Sequence, residues 1–67
     1  MVPVRTDRYE AAHGKKPRGR GLWLFEIMVN GPEASVWFEA YGSFREARRK
    51  AVAEAKRISG HTVIVAP

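Results

Sequence analysis

The sequence contains no cysteine among its 67 residues. Without thiols the chain can form neither a disulfide framework nor a thiolate metal site. Small secreted domains usually depend on disulfides, so this absence favours a reducing compartment. We therefore expect a cytoplasmic protein.

Long apolar runs are also missing. The most apolar segment, Leu22–Val29, is interrupted by Glu26 and falls well short of the roughly 20 residues that a membrane-spanning helix needs. The first residues carry no apolar run after their charges, so they do not resemble a secretory signal. The sequence therefore predicts no membrane partner.

Residues suited to catalysis are sparse. The two histidines, His13 and His61, have no second histidine or carboxylate at metal-ligand spacing, and no nucleophile is placed near a base. Glu26 and Glu39 could face each other across a hairpin, but two lone acids on strands are typical of an exposed polar face. We expect no enzymatic activity, no catalytic residue, no metal and no cofactor.

Positive charge is abundant instead. Lysine and arginine number 12 against seven acidic residues, for a net charge of +5. Residues 14–21, which we call the basic arm, are rich in glycine and contain no acid. Its cations are Lys15, Lys16, Arg18 and Arg20. A flexible cationic arm beside a compact core is typical of a phosphate-binding device.

Two strands are predicted after the arm. Leu22–Val29 is aromatic and branched, and Asn30-Gly31-Pro32 is a strong turn signal. Ser35–Tyr41 then alternates in the manner of a second strand. The two strands are expected to pair as a hairpin.

A helix and a last strand follow. Ser43 and Glu46 have the spacing of a capping box, and Ser59-Gly60 is a stop signal. Between them, apolar residues recur in steps of three and four that place them on one stripe of a helix. These residues are Phe44, Ala47, Ala51, Ala55 and Ile58. The segment from His61 to Ala66 reads as the last strand.

These elements predict an α+β fold. A right-handed return through the helix places the last strand beside the first, in a three-stranded sheet of order 2-1-3 with one long helix on one face. Residues 22–67 would form this core domain, and residues 1–21 an amino-terminal segment ending in the flexible arm. Within that segment Thr6 could cap a short helix over residues 7–12, or Val2 and Val4 could form an edge strand.

The sheet face away from the helix is predicted to be unusually apolar. Alternation assigns Trp23, Phe25 and Ile27 to the helix side. The opposite side receives Leu22, Leu24, Glu26, Met28, Trp37, Glu39 and Tyr41. Such a face is too apolar to leave in water on a stable monomer.

Three arrangements could account for this face. Val2, Val4 and Tyr9 of the amino-terminal segment could cover it. Two copies could pack sheet to sheet as a homodimer. Alternatively, Trp37 and Tyr41 could form a stacking platform for bases or for a partner's side chains. Glu26 and Glu39 count against nucleic acid here, because their charge repels phosphate.

The predicted helix carries more cations than acids. Glu46 precedes Lys50 by four residues and Glu54 precedes Arg57 by three, so these cations are expected to have partners within the helix. Three others share one flank without such an acid, and we call them the cationic ridge. The ridge consists of Arg45, Arg49 and Lys56.

Part of the chain resembles known nucleic-acid-binding domains. Residues 26–55 are similar to the last half of double-stranded-RNA-binding domains, with Gly42–Arg48 at the position of the Gly-x-Ser-Lys-Lys-x-Ala-Lys signature. Only Arg45 and Arg48 match that signature as cations, and that family ends at this helix. The chain also looks like the DNA-binding domains of AP2 and integrase amino-terminal type at Trp23, Glu26-Ile27, Val36-Trp37-Phe38 and Glu46-Ala47. Those domains place three strands before the helix and none after it. Both resemblances are analogies and assign no family.

Two functions follow as hypotheses. The first is a small basic nucleic-acid-binding module that contacts the phosphate backbone through the arm and the ridge. Its predicted contacts are Lys15, Lys16, Arg18, Arg20, Arg45, Arg49 and Lys56. Contacts of this kind give affinity without reading sequence.

The second hypothesis is an interaction or inhibitor protein of the small kind that phages and mobile elements encode. It would dock on an acidic protein surface through the arm, or on a larger host protein through the apolar sheet face. The predicted interaction surface consists of Leu24, Met28, Trp37 and Tyr41.

Overall fold

The computed structural model describes residues 2–30 and 34–67. The elements in chain order are β1 (Val4–Arg5), α1 (Asp7–His13), β2 (Arg20–Met28), β3 (Ser35–Ser43), α2 (Phe44–Arg57) and β4 (Thr62–Val65). The four strands form one mixed sheet of order β1-β4-β2-β3. The α+β class is thus confirmed, while the prediction of three strands and one helix is wrong in detail.

Strand β2 lies inside the sheet and is antiparallel to both neighbours. It pairs with β3 from Arg20 opposite Ser43 to Met28 opposite Ser35, and with β4 along the other edge. Strand β4 therefore lies beside β2. This neighbour is the one predicted from a right-handed return of the chain through the helix. Residues Arg20 and Gly21 extend β2 beyond the predicted start at Leu22, since β3 continues far enough to pair with them.

The additional strand comes from the amino-terminal segment. Val4 lies opposite Val63 in a parallel pairing of β1 with β4, and the Val63 N–H donates to the Pro3 carbonyl at 2.9 Å. This pairing satisfies backbone groups that β4 would otherwise expose at an edge. A strand of two residues has no alternation for the sequence to reveal, so the three-stranded prediction missed it.

Helix α1 follows β1 directly, so the segment contains both an edge strand and a short helix. The strand is Val4–Arg5 and does not include Val2, and the helix ends at His13, one residue beyond the predicted range. Thr6 occupies the N-cap position but makes no side-chain cap; its hydroxyl donates to the Glu10 carboxylate instead. Gly14 ends the helix with φ of 71°, and its N–H donates to the Glu10 carbonyl at 2.8 Å. This left-handed conformation favours glycine.

The hairpin between β2 and β3 is closed by a bond from the Val29 N–H to the Ala34 carbonyl at 3.2 Å. The predicted turn at residues 30–32 lies largely outside the described residues. Among the described residues, no helix is long and apolar enough to cross a membrane.

The core lies between α2 and the sheet. Ala47, Ala51 and Ala55 have no exposed surface, and their small side chains let the helix axis approach the strands. The sheet contributes Trp23, Phe25, Ile27, Ala40, Val63 and Val65 to the same cluster. The predicted apolar stripe of α2 is confirmed, with Phe44 and Ile58 packing at its two ends.

The amino-terminal segment packs on the α2 side of the sheet. Val2, Val4 and Tyr9 contact the core cluster, and the Tyr9 ring centroid lies 5.6 Å from that of Trp23. They extend the existing core rather than covering the opposite face. The one of the three predicted arrangements in which these three side chains cover that face is wrong, because parallel pairing with β4 directs Val4 to the same side as Val63. The segment reaches that face through Arg8, which lies 3.2 Å from the Glu26 carboxylate.

Candidate nucleic-acid interface

Ion pairs divide the cations into two groups. Of the 12 lysines and arginines, four form ion pairs: Arg5 with Asp7, Arg8 with Glu26, Arg20 with Glu46 and Arg57 with Glu54. The other eight have no carboxylate within 4.0 Å in the part of the chain that the structure describes. They are Lys15, Lys16, Arg18, Arg45, Arg48, Arg49, Lys50 and Lys56. Within the part of the chain that the structure describes, the positive charge without an ion pair thus lies in the arm and on α2.

The cationic ridge lines one groove along α2. Arg45, Arg49 and Lys56 meet there as predicted from their spacing, and the structure adds Arg48 to them. Val2, Val52 and Ala53 complete the lining. The groove, which we call the helix groove, encloses about 550 Å³, and none of the described residues that line it is acidic. Its four cations are exposed, which leaves their guanidinium and ammonium groups available to anions.

Glu46 does not pair with Lys50 as the sequence predicted. Its carboxylate accepts the Ser43 N–H at 3.1 Å while its own N–H donates to the Ser43 hydroxyl, which confirms the capping box. These bonds to Ser43, followed by the charge of Arg20, lower the pKa of Glu46. Because Glu46 bends back toward the helix start, Lys50 stays without an ion pair in the described chain.

Glu54 and Arg57 form the predicted pair. Both carboxylate oxygens of Glu54 accept from the guanidinium, at 2.8 Å and 2.6 Å. The hydrogen bond from Arg57 lowers the pKa of Glu54, and the same bond raises the pKa of Arg57. Arg57 is therefore compensated within the helix.

The basic arm is attached to the fold at two points. Pro17 in its middle is buried, and the Gly19 carbonyl accepts from the Phe44 N–H at 2.8 Å. This hydrogen bond holds Gly19 of the arm against Phe44, the first residue of α2, which directly precedes Arg45 of the ridge. Lys15, Lys16 and Arg18 are exposed. Arg20, predicted as part of the arm, belongs to β2 and is ion-paired with Glu46 at 3.6 Å.

The arm also borders a second depression, which we call the arm cleft. Arg18 and Arg20 line it together with Tyr9, His13, Gly21, Leu22, Trp23, Leu24, Ala66 and Pro67. It encloses about 430 Å³, and its lining among residues 2–30 and 34–67 includes no acidic side chain. The structure thus joins two predicted arm cations to Leu24 of the predicted interaction surface.

Sequence reasoning missed two side chains of the arm cleft. The rings of Tyr9 and His13 are stacked, with centroids 4.1 Å apart and planes inclined by 23°. Residues four apart on a helix lie on the same face, so their spacing in the short predicted helix was the signal that could have revealed them.

The sheet face opposite α2, which we call the open sheet face, remains largely uncovered. Leu22 is 65% exposed, Trp37 57% and Tyr41 67%. Leu24 is also exposed, and Met28 is half-buried. The face therefore keeps the apolar character that the alternation predicted.

The two acids of the open sheet face differ in environment. Glu26 lies opposite Trp37, its side chain is only 17% exposed, and Arg8 lies 3.2 Å from its carboxylate. Glu39 lies opposite Leu24 and is exposed. One of the two charges expected to repel phosphate is thus neutralised by the fold.

No arrangement for metal binding appears among the described residues, where no group of three or more histidine, cysteine, aspartate or glutamate side chains is suitably placed. Comparison of the chain with protein-family models, with curated proteins and with solved structures finds no match.

Proposed function

We propose that this protein is a small, non-catalytic nucleic-acid-binding module that contacts the phosphate backbone through the basic arm and the cationic ridge. The supporting observation is the segregation of charge. Of the four ion pairs in the described chain, three lie outside the arm and the ridge, and the fourth involves Arg20. Eight exposed cations without carboxylate partners in the described chain are concentrated in the arm and on α2.

The dimensions of the ridge suit a phosphate backbone. From Arg45 to Lys56 the helix rises about 16 Å, which corresponds to about five nucleotide steps of duplex DNA. Arginine offers a planar fork of donors that binds phosphate oxygens in pairs. The helix groove presents three arginines and one lysine along this length.

The attachment of the arm to α2 supports joint use of the two surfaces. Because the Gly19 carbonyl is bonded to the Phe44 N–H, Arg18 and Arg45 belong to segments that meet at one end of the helix. One backbone could then contact the arm and continue along the ridge. Such contacts position a nucleic acid without reading its bases.

Salt dependence tests the proposal directly. Binding of fluorescein-labelled DNA and RNA would be measured by anisotropy over a range of NaCl concentrations. Affinity should fall with salt, with a log–log slope of roughly −0.9 for each phosphate neutralised on duplex DNA. Failure to bind either nucleic acid in low-salt buffer would overturn the proposal.

A matched pair of variants separates specific contacts from net charge. The double variant Lys15→Gln and Lys16→Gln removes two arm charges. The control, Arg5→Gln and Arg57→Gln, removes the same number from residues paired with carboxylates. The arm variant should bind more weakly and reduce the salt slope by about 1 per cation. An equal loss of affinity in the arm variant and in the control variant would show that only the overall charge matters.

The exposed aromatic residues support a second candidate function. Trp37 and Tyr41 on the open sheet face are the residue types that anchor protein interfaces. Under this alternative the protein docks on a larger protein and inhibits or recruits it. Capture of a partner from nuclease-treated lysate by the intact chain, lost in the Trp37→Ala and Tyr41→Ala double variant, would support it.

A further inference from the structure

The arm cleft and the open sheet face are continuous. Leu22 and Leu24 line the cleft, and both are exposed on the open sheet face. Leu22 also lies opposite Tyr41 across the β2–β3 pairing. The cations of the cleft therefore border an aromatic surface that sequence reasoning treated as separate from the arm.

The lining of the cleft is suited to an anion that carries a planar ring. Two guanidinium groups, Arg18 and Arg20, line it, and no described acidic side chain does. Arg18 has no carboxylate partner in the described chain, whereas Arg20 also lies 3.6 Å from the Glu46 carboxylate. The stacked rings of Tyr9 and His13 and the two leucines supply an apolar wall. Its volume of about 430 Å³ lies within the range of roughly 300–1,000 Å³ typical of ligand sites.

We infer that the arm cleft and the open sheet face together bind single-stranded nucleic acid. Phosphates would lie at Arg18 and Arg20, and bases would stack on Tyr41 and Trp37. The inference rests on the proposed function and specifies its ligand. Bases of a duplex are stacked on one another, whereas those of a single strand are free to stack on protein aromatics.

The spacing of the two aromatic residues suits separate bases. Trp37 and Tyr41 lie four residues apart on one face of β3, which corresponds to about 13 Å along the strand. Their exposure of 57% and 67% leaves ring surface free for contact. Each ring is therefore available to a different base of an extended strand.

Charge also favours this ligand over a duplex at the same surface. Glu26 is paired with Arg8 and mostly buried, so Glu39 is the remaining uncompensated acid of this face among the described residues. A strand that enters at the arginines and presents its bases to the sheet keeps its phosphates away from Glu39. The Glu39→Gln variant should bind a single strand at least as tightly as the original protein.

The first test compares a labelled oligothymidylate of about 12 nucleotides with a duplex of the same length, in low-salt buffer. The single strand should bind more tightly. The Tyr41→Ala variant should lose about 5- to 150-fold in affinity for the single strand. The Tyr41→Phe variant should keep the affinity of the original protein, because phenylalanine also stacks on bases. Val36→Ala is the matched control, because Val36 is exposed on the same strand but faces the α2 side.

Arg18 provides an independent test of the cleft. The Arg18→Gln variant should weaken single-strand binding and reduce its salt slope by about 0.7, the value for one phosphate on a single strand. Arg57→Gln removes the same charge from a residue outside the cleft that is held by Glu54, and it should leave the slope unchanged. Circular dichroism of each variant would verify that the fold is retained.

Tryptophan fluorescence gives a direct signature of stacking. Trp23 is buried in the core, whereas Trp37 is exposed on the open sheet face. The single strand should quench the fluorescence of the original protein, and this quenching should be lost in the Trp37→Phe variant while Trp23 still emits.

The outcomes separate this inference from the proposed function. Equal or tighter binding of the duplex, with the affinities of Tyr41→Ala and Trp37→Ala unchanged, would overturn the single-strand site and leave the phosphate-binding module standing. Absence of binding to any nucleic acid would overturn both. Aromatic variants that lose a captured protein partner while retaining full affinity for the oligonucleotide would assign the open sheet face to that partner and overturn the inference.

Discussion

The guanidinium of Arg20 lies 3.6 Å from the carboxylate of Glu46. This pair joins the end of the basic arm to the first turn of α2. Glu46 is thus paired with Arg20 and not with Lys50, the partner that helix spacing predicted. The same carboxylate accepts the Ser43 N–H, so one acid serves the helix cap and the arm together.

Removing the cap should destabilise the protein. In the Ser43→Ala variant the Glu46 N–H loses its acceptor, and the free energy of unfolding should fall by about 0.5–2 kcal/mol. Urea unfolding followed by circular dichroism measures this change. Ser35→Ala, at the start of β3, is the control and should change stability little. Equal effects of the two variants would contradict the role of the cap.

Stability should fall at acidic pH. Hydrogen bonds and nearby cations lower the pKa of Asp7, of Glu46 and of Glu54. The unfolded chain therefore takes up protons at higher pH than the folded protein does. The contribution of these carboxylates to stability is fully present above their ordinary pKa range, near pH 4. It is lost as the pH falls through their lowered pKa values.

Unfolding in urea at a series of pH values from neutral to acidic measures this dependence. The Glu46→Gln variant should be less stable at neutral pH and should lose less stability on acidification, since one of the titrating groups is gone. A variant whose stability changes with pH as steeply as that of the original protein would contradict the assignment to Glu46.

A methyl group at position 60 should be poorly tolerated. A Cβ atom on Gly60 would lie 2.6 Å from Cγ2 of Ile27, a side chain without exposed surface. Gly60→Ala should therefore cost about 1–3 kcal/mol of stability through overpacking. Gly21→Ala is the matched control, because a Cβ there meets nothing within 4 Å. A thermal unfolding experiment showing similar midpoints for both variants would refute this expectation.

The helix groove should contribute to affinity through individual phosphate contacts. Arg49→Gln removes one groove cation and should reduce the salt slope of duplex binding by about 1. Arg57→Gln removes the same charge from a residue held by Glu54 and should leave the slope unchanged. Anisotropy titrations at several salt concentrations distinguish them, and an identical slope for Arg49→Gln and the original protein would remove the groove from the interface.

Local patterns allowed much of the fold to be predicted. Alternation identified the central strand and its buried side, and the capping box located the start of α2 at Ser43. The alanine stripe identified the face that packs on the sheet. These features depend on neighbours within a few residues, which is the range over which a sequence pattern reports structure.

The sequence offers strand β1 only as one of two alternatives for its segment, and the predicted three-stranded sheet does not include it. Its two residues acquire strand conformation only because β4 offers an edge with unpaired backbone groups. The arm cleft was missed for a related reason. Tyr9, Arg18 and Leu24 are distant in sequence, and their meeting depends on where α1 and β4 end.

The sequence by itself determined the amount of positive charge, its concentration in the arm and the helix, and the amphipathic character of each element, because composition and periodicity are properties of the chain alone. Only the tertiary structure decided which cations keep their charge uncompensated and which side chains share a surface. Ion pairing and the merging of the arm cleft with the open sheet face depend on distances between segments remote in sequence, and those distances are set by packing.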